Sequence, residues 1–242
     1  MPARSFAAYA AHELRTPITL QLALAESALA NPDADEAVWR AMAEGVVASC
    51  EQQRRLIEAL LDLARSQHGV ARPELVDLGG IVAHALHSYD VGDLESVVML
   101  EPAVATGDRD LLQRLVANLV SNAVRHNIPR GRIEVSTGTD SGRASLFVAN
   151  TGPRIRAREL RRLFQPFERL ESRPRRCADG TGLGLAIVES IANAHRAVVT
   201  AHAPPAGGLE IDVRFPAVVC ATSWLTPAPS SSQIVLTSRS TQ

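Results

Sequence analysis

Two groups of residues in this chain have the types and spacing to do chemistry. The first is His12-Glu13-Leu14-Arg15-Thr16-Pro17. An imidazole is a nucleophile near neutral pH without special activation. Glu13, its neighbour, can accept the proton that the ring sheds on attacking an electrophile. Thr16 follows His12 by four residues, one helical turn along the same face. Pro17 lacks an N–H and is expected to bend a helix just past the site. A lone His-Glu pair on a helix is ordinarily a solvated surface pair, so the weight falls on what the rest of the chain supplies.

The second group is spread over four segments. Asp179-Gly180-Thr181-Gly182-Leu183-Gly184-Leu185 puts three alternate glycines just before an apolar helical run. Glycine lets a backbone approach a ligand closely, and a helix start offers unpaired N–H groups to phosphate. Asn118 and Asn122 stand one helical turn apart, opposite the leucines of their helix. The Asn122 amide oxygen suits Mg²⁺, which binds mainly through substrate phosphates and water. Arg125 is placed to reach a phosphate, and His126 offers a ring for stacking. Val148-Ala149-Asn150-Thr151-Gly152-Pro153 puts a polar side chain after a buried strand and ahead of a tight turn. Leu163-Phe164-Gln165-Pro166-Phe167 is an aromatic pair of the kind that hinges a mobile lid.

The elements that must hold these residues are readable from periodicity. Residues 5–30 carry Phe6, Leu14, Ile18, Leu22, Ala25 and Leu29 as a helical stripe, with His12 off it and facing solvent. Asn31-Pro32-Asp33 breaks the pattern. A second helix runs from about Ala34 to Gln67 on Val38, Met42, Val46, Leu56, Leu60 and Leu63, widened by Ile57 and Leu61. His68-Gly69 ends it, with Gly suited to the position past the last turn. A helical hairpin leaves its stripe open; it is closed by pairing two copies as a four-helix bundle, the favoured solution, or by the chain's own second domain.

From Glu74 short strands and helices alternate. The expected order is a strand at 75–78, a helix at 78–87, a strand at 97–100, a connection from Pro102 to Gly107, and a helix opened by Asp108-Arg109-Asp110. Strands at 133–137 and 145–149 form a pair, Glu159–Phe164 a short helix, Leu183–Ala194 a longer one, and strands at 197–202 and 209–215 follow. This is an α+β layer fold. From Val218 the chain is rich in Ser, Thr and Pro and reads as a disordered tail. The domain reading is 1–70, 71–217 and 218–242.

The bulk numbers exclude several classes. The 242 residues carry a formal net charge of −1, which gives no reason to expect nucleic-acid binding by bulk electrostatics. Arginine is dense from Arg154 to Arg176, a solvated face or a loop facing phosphate or a partner. Cys50, Cys177 and Cys220 form no metal spacing and no disulfide framework, which fits a reducing, cytoplasmic compartment. No apolar run approaches the ~18 residues of a membrane span, and no signal-peptide pattern opens the chain.

Taken together, the five segments resemble those of the sensor histidine kinases. His12-Glu13-Leu14-Arg15-Thr16-Pro17 is similar to their H box, and the other four, in order, to the N, G1, F and G2 boxes of their ATP-binding domain. The resemblance covers about residues 5–216. It implies a dimeric four-helix bundle followed by a two-layer α+β sandwich of the Bergerat ATPase type. It implies His12 as phosphoacceptor, Glu13 as its proton acceptor, and Thr16 as the residue that positions water for dephosphorylating the partner. Asn122 would be the Mg²⁺ ligand, and Asn118, Arg125 and His126 would lie on the ATP. Asn150 and Gly152 would serve the adenine, Phe164 and Phe167 the lid, and Gly180, Thr181, Gly182, Leu183 and Gly184 the phosphates. The implied cofactors are ATP and Mg²⁺; the implied partners are a second copy and the receiver domain of a response regulator.

Two departures stand out. Asn150 replaces the usual Asp, and Arg154 the usual Gly, of the G1 box. An amide still accepts from the adenine amine, and its NH₂ is also able to donate to ring N1. A sensor segment and membrane anchor usually precede the H box in this family, and neither is found in these residues. The rival expectations are a catalytically weak member acting as a response-regulator phosphatase or dimeric scaffold, and an ATPase of the same pocket fold without phosphohistidine. The H box on a hairpin argues against the latter.

Overall fold

The computed structural model describes residues 3–67, 69–89, 91–168, 181–218 and 234–236. The chain divides into two compact units between Leu61 and Asp62.

The first unit is a helical hairpin. Helix α1 spans Ala3–Ala30 and α2 spans Glu36–Gln67. Asp35 caps α2, its carboxylate accepting from the Val38 N–H at 3.0 Å. Gly69, at φ +74°, follows the helix end where a side chain would be strained. The helix runs on through Pro17 without interruption. The face that α1 turns inward is not the one its strongest apolar residues mark. Pro17 and Ala28 are buried and Gln21 and Leu24 half-buried, whereas Ile18, Leu22 and Leu29 stay exposed, Leu29 at 74%. The helix therefore carries two apolar faces, of which the hairpin uses one. Small residues allow the close approach: a Cβ on Gly45 would stand 2.8 Å from Leu24 Cδ1.

The second unit is a two-layer sandwich. Strand β1 (Glu74–Asp77) pairs antiparallel with β3 (Val104–Gly107) in a small ribbon. An aspartate that starts a helix ends β1 and directly follows β3. Asp77 accepts from the Gly79 and Gly80 N–H groups and opens α3 (Leu78–Ser88). Asp108 accepts from Leu111 N–H and opens α4 (Arg109–Arg125). The larger sheet holds β2 (Glu95–Leu100), β4 (Arg132–Asp140), β5 (Arg143–Asn150), β6 (Val198–His202), β7 (Leu209–Arg214) and β8 (Ile234–Leu236). Its order is β2-β4-β5-β7-β6-β8; β2 runs parallel to β4 and β8 to β6, and the other pairs are antiparallel. Alternate residues Ile133, Val135, Leu146, Val148, Ile211 and Val213 face the core. Against them lie Leu112, Leu115 and Leu119 of α4 and Ile187, Val188 and Ile191 of α6 (Gly184–Ala194). A fully buried side chain of this size contributes about 1.5–3 kcal/mol. Between β5 and α6 come α5 (Ala157–Leu160) and a 3-10 turn at Arg162–Phe164.

The hairpin and the two-layer sandwich agree with the sequence reading, and several details correct it. The connection from Pro102 to Gly107 contains β3, and the helix at Glu159–Phe164 is split in two. Within the tail read as disordered, Ile234–Leu236 pair as a strand; the rest, from 219 on, lies outside the described residues. Arg173, Arg175 and Arg176 lie outside them too.

Candidate functional site

On the hairpin, His12 is exposed and Glu13 half-buried. The Thr16 hydroxyl donates to the His12 carbonyl at 3.2 Å, so its hydrogen is used on the backbone while its lone pairs stay open to water. Pro17 supplies no N–H, which leaves the Glu13 carbonyl without its helical donor one residue from His12. The turn is instead tied sideways. Ser49 of α2 donates to the Pro17 carbonyl at 3.1 Å, and Gln21 Nε2 donates to Ser49 Oγ at 3.2 Å and to Gln53 Oε1 at 3.0 Å. This polar layer is satisfied inside an otherwise apolar seam, and it fixes the register of α1 on α2 just past His12.

In the second unit the four segments converge. The position of a Cβ on Gly152 lies 2.9 Å from the His126 carbonyl and 3.4 Å from Asn150 Nδ2, so the turn after β5 rests against the end of α4. A Cβ on Gly184 would stand 3.2 Å from Asn118 Oδ1, which brings the start of α6 onto the polar face of α4. Phe167 N–H donates to the Gly182 carbonyl at 2.9 Å, and a Cβ on Gly182 would be 3.0 Å from Phe167 Cα. Both lie in the left-handed region, Phe167 at φ +66° and Gly182 at φ +69°. For a phenylalanine that conformation is strained and held by its surroundings. Phe164 and Leu183 are buried beneath, and Thr181 is half-buried. Gly180 lies outside the described residues.

Asn122 is half-buried, and its amide makes no hydrogen bond among the described residues; Arg125 at the end of α4 is exposed. Asn150 Nδ2 donates to the Thr151 carbonyl at 2.7 Å. That bond settles which end of the amide is which, because only the NH₂ can face a carbonyl. Arg154, which takes the place of a glycine, is outside the left-handed region, so the turn runs without needing one there.

Several supporting residues carry no local sequence signal. Thr151 Oγ1 donates to Asn127 Oδ1 at 2.5 Å and accepts from Arg132 N–H at 2.8 Å, tying the turn to the loop after α4. His195, 4% exposed at the end of α6, accepts the Asp108 N–H on Nε2 at 3.0 Å and donates from Nδ1 to the Ile191 carbonyl at 2.8 Å. A Cβ on Gly107 would fall on its ring. Burial pushes its pKa below the usual imidazole value, against the smaller opposing pulls of the Ile191 carbonyl and the Asp108 charge. The last turns of α2 also pack within this unit. Asp62, 5% exposed, lies 3.6 Å from Arg114 Nε, and Ser66 Oγ is 2.7 Å from Ser190 Oγ.

Comparison with known proteins places the two parts of the chain in known domain families. Residues 3–69 match the His Kinase A (phospho-acceptor) domain, and residues 107–219 match the histidine kinase-, DNA gyrase B- and HSP90-like ATPase domain. The sensor protein CutS of Streptomyces coelicolor is 37% identical over 216 residues, covering 87% of this chain and 52% of CutS. The solved mycobacterial sensor histidine kinase MprB is 32% identical, with a TM-score of 0.53, over 60% of this chain and 97% of that one. The histidine kinase ThkA, solved in complex with the response regulator TrrA, shares the fold with a TM-score of 0.68 at 18% identity, over 88% of this chain and 61% of that one. A helical hairpin with a phosphoacceptor box, joined to a nucleotide-binding sandwich, defines the class. The chain belongs to the sensor histidine kinases of two-component systems. It spans about half the length of the curated relatives it matches. Among the described residues, no helix is long and apolar enough to cross a membrane.

Proposed function

We propose that this chain is the ATP-dependent kinase core of a two-component system, phosphorylating its own His12 and passing the group to an aspartate on a response-regulator receiver domain. An ATP-binding domain from about residue 71 to 217 binds ATP, and the hairpin, within about residues 1–70, carries the acceptor. The observation that carries this reading is the convergence in one unit of the Gly152 turn on His126, the Gly184 helix start on Asn118, and Phe167 on Gly182. In the transfer a His12 ring nitrogen forms a bond to the γ-phosphorus as the bond to the β-phosphate oxygen breaks. ADP leaves, and Glu13 takes the ring proton. Little covalent help is needed from the pocket, whose work is to position and neutralise.

Each side chain has a defined task. Backbone N–H groups at the start of α6 and the Arg125 guanidinium hold the triphosphate. Phe164, which is buried, and Phe167, which meets Gly182, serve the lid. The Asn122 amide oxygen, free of other partners, fits the hard-oxygen shell of Mg²⁺, and the described residues offer no competing cluster of three His, Cys, Asp or Glu. When bound, the ion neutralises charge on the phosphates. Asn150 spends one amide hydrogen on the Thr151 carbonyl, which leaves Oδ1 to accept from the adenine amine. Thr16 keeps lone pairs free for a water, as dephosphorylation of the partner requires. Two hairpins pair through Ile18, Leu22, Leu29 and Val47, all exposed in one chain. A cytoplasmic location follows from the need for ATP and a receiver domain.

The test is incubation with γ-labelled ATP and Mg²⁺. The parent should take up acid-labile label, while His12→Gln takes up none and binds ATP as tightly as the parent. Label retained by His12→Gln would place the acceptor elsewhere. ATP binding with no label in either protein would favour the scaffold or phosphatase reading.

A further inference from the structure

Turn glycines usually supply conformational freedom alone. Gly142, at the tip of the β4–β5 hairpin, is of that kind: φ is +74° and the nearest atom to its missing Cβ is 4.0 Å away. Gly207 and Gly208, between β6 and β7, differ. They adopt φ +103° and +96°, and there is also no room for a side chain on either. A Cβ on Gly207 would fall on the Gly152 carbonyl oxygen and stand 3.3 Å from the Pro153 carbonyl carbon and 3.4 Å from Arg154 N. On Gly208 it would fall on the Asn150 carbonyl oxygen and stand 3.1 Å from Thr151 Cα. The Gly208 N–H donates to the Pro153 carbonyl at 3.1 Å. The turn Asn150–Arg154 is thus held close by this glycine pair, and at Gly152 by the His126 carbonyl as well.

We propose that Gly207 and Gly208 are positioning residues for the recognition of adenine. They hold the backbone that aims the Asn150 amide, and so set the preference for a 6-amino purine. The proposal rests on the reading of Asn150 as the residue that meets the base. The Asn150 side chain is fastened to the Thr151 carbonyl, in the peptide between the one Gly208 touches and the one Gly207 touches, so its Oδ1 is aimed by backbone that the glycine pair holds. A methyl group on either glycine pushes that backbone away and swings Oδ1 off the amine. The triphosphate contacts, on α4 and α6, stay where they are. Arg154 is tolerated in place of the usual glycine for the same reason, since the clamp fixes the turn from outside.

The test compares ATP with purine riboside triphosphate, which lacks the 6-amine, by titration into the parent, Asn150→Ala, Gly208→Ala and Gly142→Ala. The parent and Gly142→Ala should prefer ATP by roughly tenfold or more, the scale of one unpaired buried polar group. Gly208→Ala should lose that preference while holding purine riboside triphosphate within about twofold of the parent, one good hydrogen bond being all that is lost. Retention of the preference in Gly208→Ala overturns the proposal and leaves the Asn150 reading intact. A parallel fall in both affinities, tracking a lower melting temperature, makes the glycines merely structural and overturns it too. Retention of the preference in Asn150→Ala defeats the Asn150 reading itself, and the proposal falls with it. If Gly208→Ala does not fold, hydrogen exchange in the parent decides. ATP should protect the Gly208 amide more than purine riboside triphosphate does, and equal protection refutes the clamp.

Discussion

The two units of this chain satisfy their apolar residues by different means. In the nucleotide-binding unit, Leu112, Leu115, Leu119, Ile187, Ile191 and Val213 are all but sealed, and the polar groups among them are paired. In the hairpin, Ile18, Leu20, Leu22, Leu29, Val47, Ile57 and Leu61 are each exposed by 47% or more. The nucleotide-binding unit is closed as a fold and takes its ligand from solution. The hairpin carries the exposed His12 and leaves much of its apolar surface uncovered. The pocket's fine geometry is set within its own unit, and on the function proposed above the open hairpin makes presentation of His12 depend on a second copy.

The sharpest way to break that contrast is to charge the open face. Leu22→Asp with Leu29→Asp should turn a dimer into a monomer, as read by sedimentation. Each such side chain is worth about 1.5–3 kcal/mol when buried, and both copies lose it, so the dissociation constant should rise at least about a hundredfold. The nucleotide unit should keep its ATP affinity. An unchanged dimer would show that these residues are not the seam, and a lost ATP affinity would show that the units are not independent.

Within the pocket the corresponding change is Asn122→Ala. Its amide is the free oxygen donor on α4, so the variant should lose Mg²⁺-dependent ATP affinity by roughly ten- to a hundredfold, as for one lost buried polar partner. Its affinity measured in excess chelator should match the parent's. Equal losses with and without Mg²⁺ would mean that Asn122 supports the helix rather than the ion.

The same contrast explains what was legible in the sequence. His12, the Asn118–Asn122 pair, the turn after Val148 and the Gly182–Gly184 approach are local patterns, and they could be read because each chemical requirement falls within a few residues. Asp108 as a helix cap and Gly69 as a helix stop are local in the same way. Strand β3 was not legible because its four residues, flanked by Pro102 and Asp108, show only the alternation of a loop. The inner face of α1 was not legible because Ile18, Leu22 and Leu29 outweigh Pro17, Gln21 and Ala28 in hydrophobicity, and a single periodicity cannot show that the helix carries a second buried face. Gly207-Gly208 reads as an ordinary turn, since its close contact is with a segment far away in the chain. His195 looks like a surface residue at a helix end until the Asp108 N–H is seen to need its acceptor.

His195 also gives the subtlest prediction, a pH dependence confined to the nucleotide unit. Its imidazole is neutral in the fold, with Nε2 accepting and Nδ1 donating. Burial depresses its pKa below the ordinary value of 6.5, so the unfolded chain takes up the proton first as the pH falls. Where the unfolded state binds more protons, stability rises with pH. The contribution of His195 is therefore fully present above about pH 6.5 and is lost progressively as the pH drops through the folded value. Glu189 acts in the opposite sense in a lower range. Burial raises its carboxyl above 4.5, so there the folded state holds the extra proton and acidification favours it. The expected melting curve of the nucleotide unit thus weakens below about pH 6.5, with Glu189 partly offsetting the loss nearer pH 4.5. His195→Gln keeps an acceptor for the Asp108 N–H and removes the titration. Its melting temperature should fall less between pH 7.5 and about pH 5.5 than the parent's. The hairpin's transition in the same scan should be unaffected by the substitution. An identical pH slope in parent and variant would show that His195 does not charge on unfolding in this range, and that the link between Asp108 and the end of α6 carries no proton linkage.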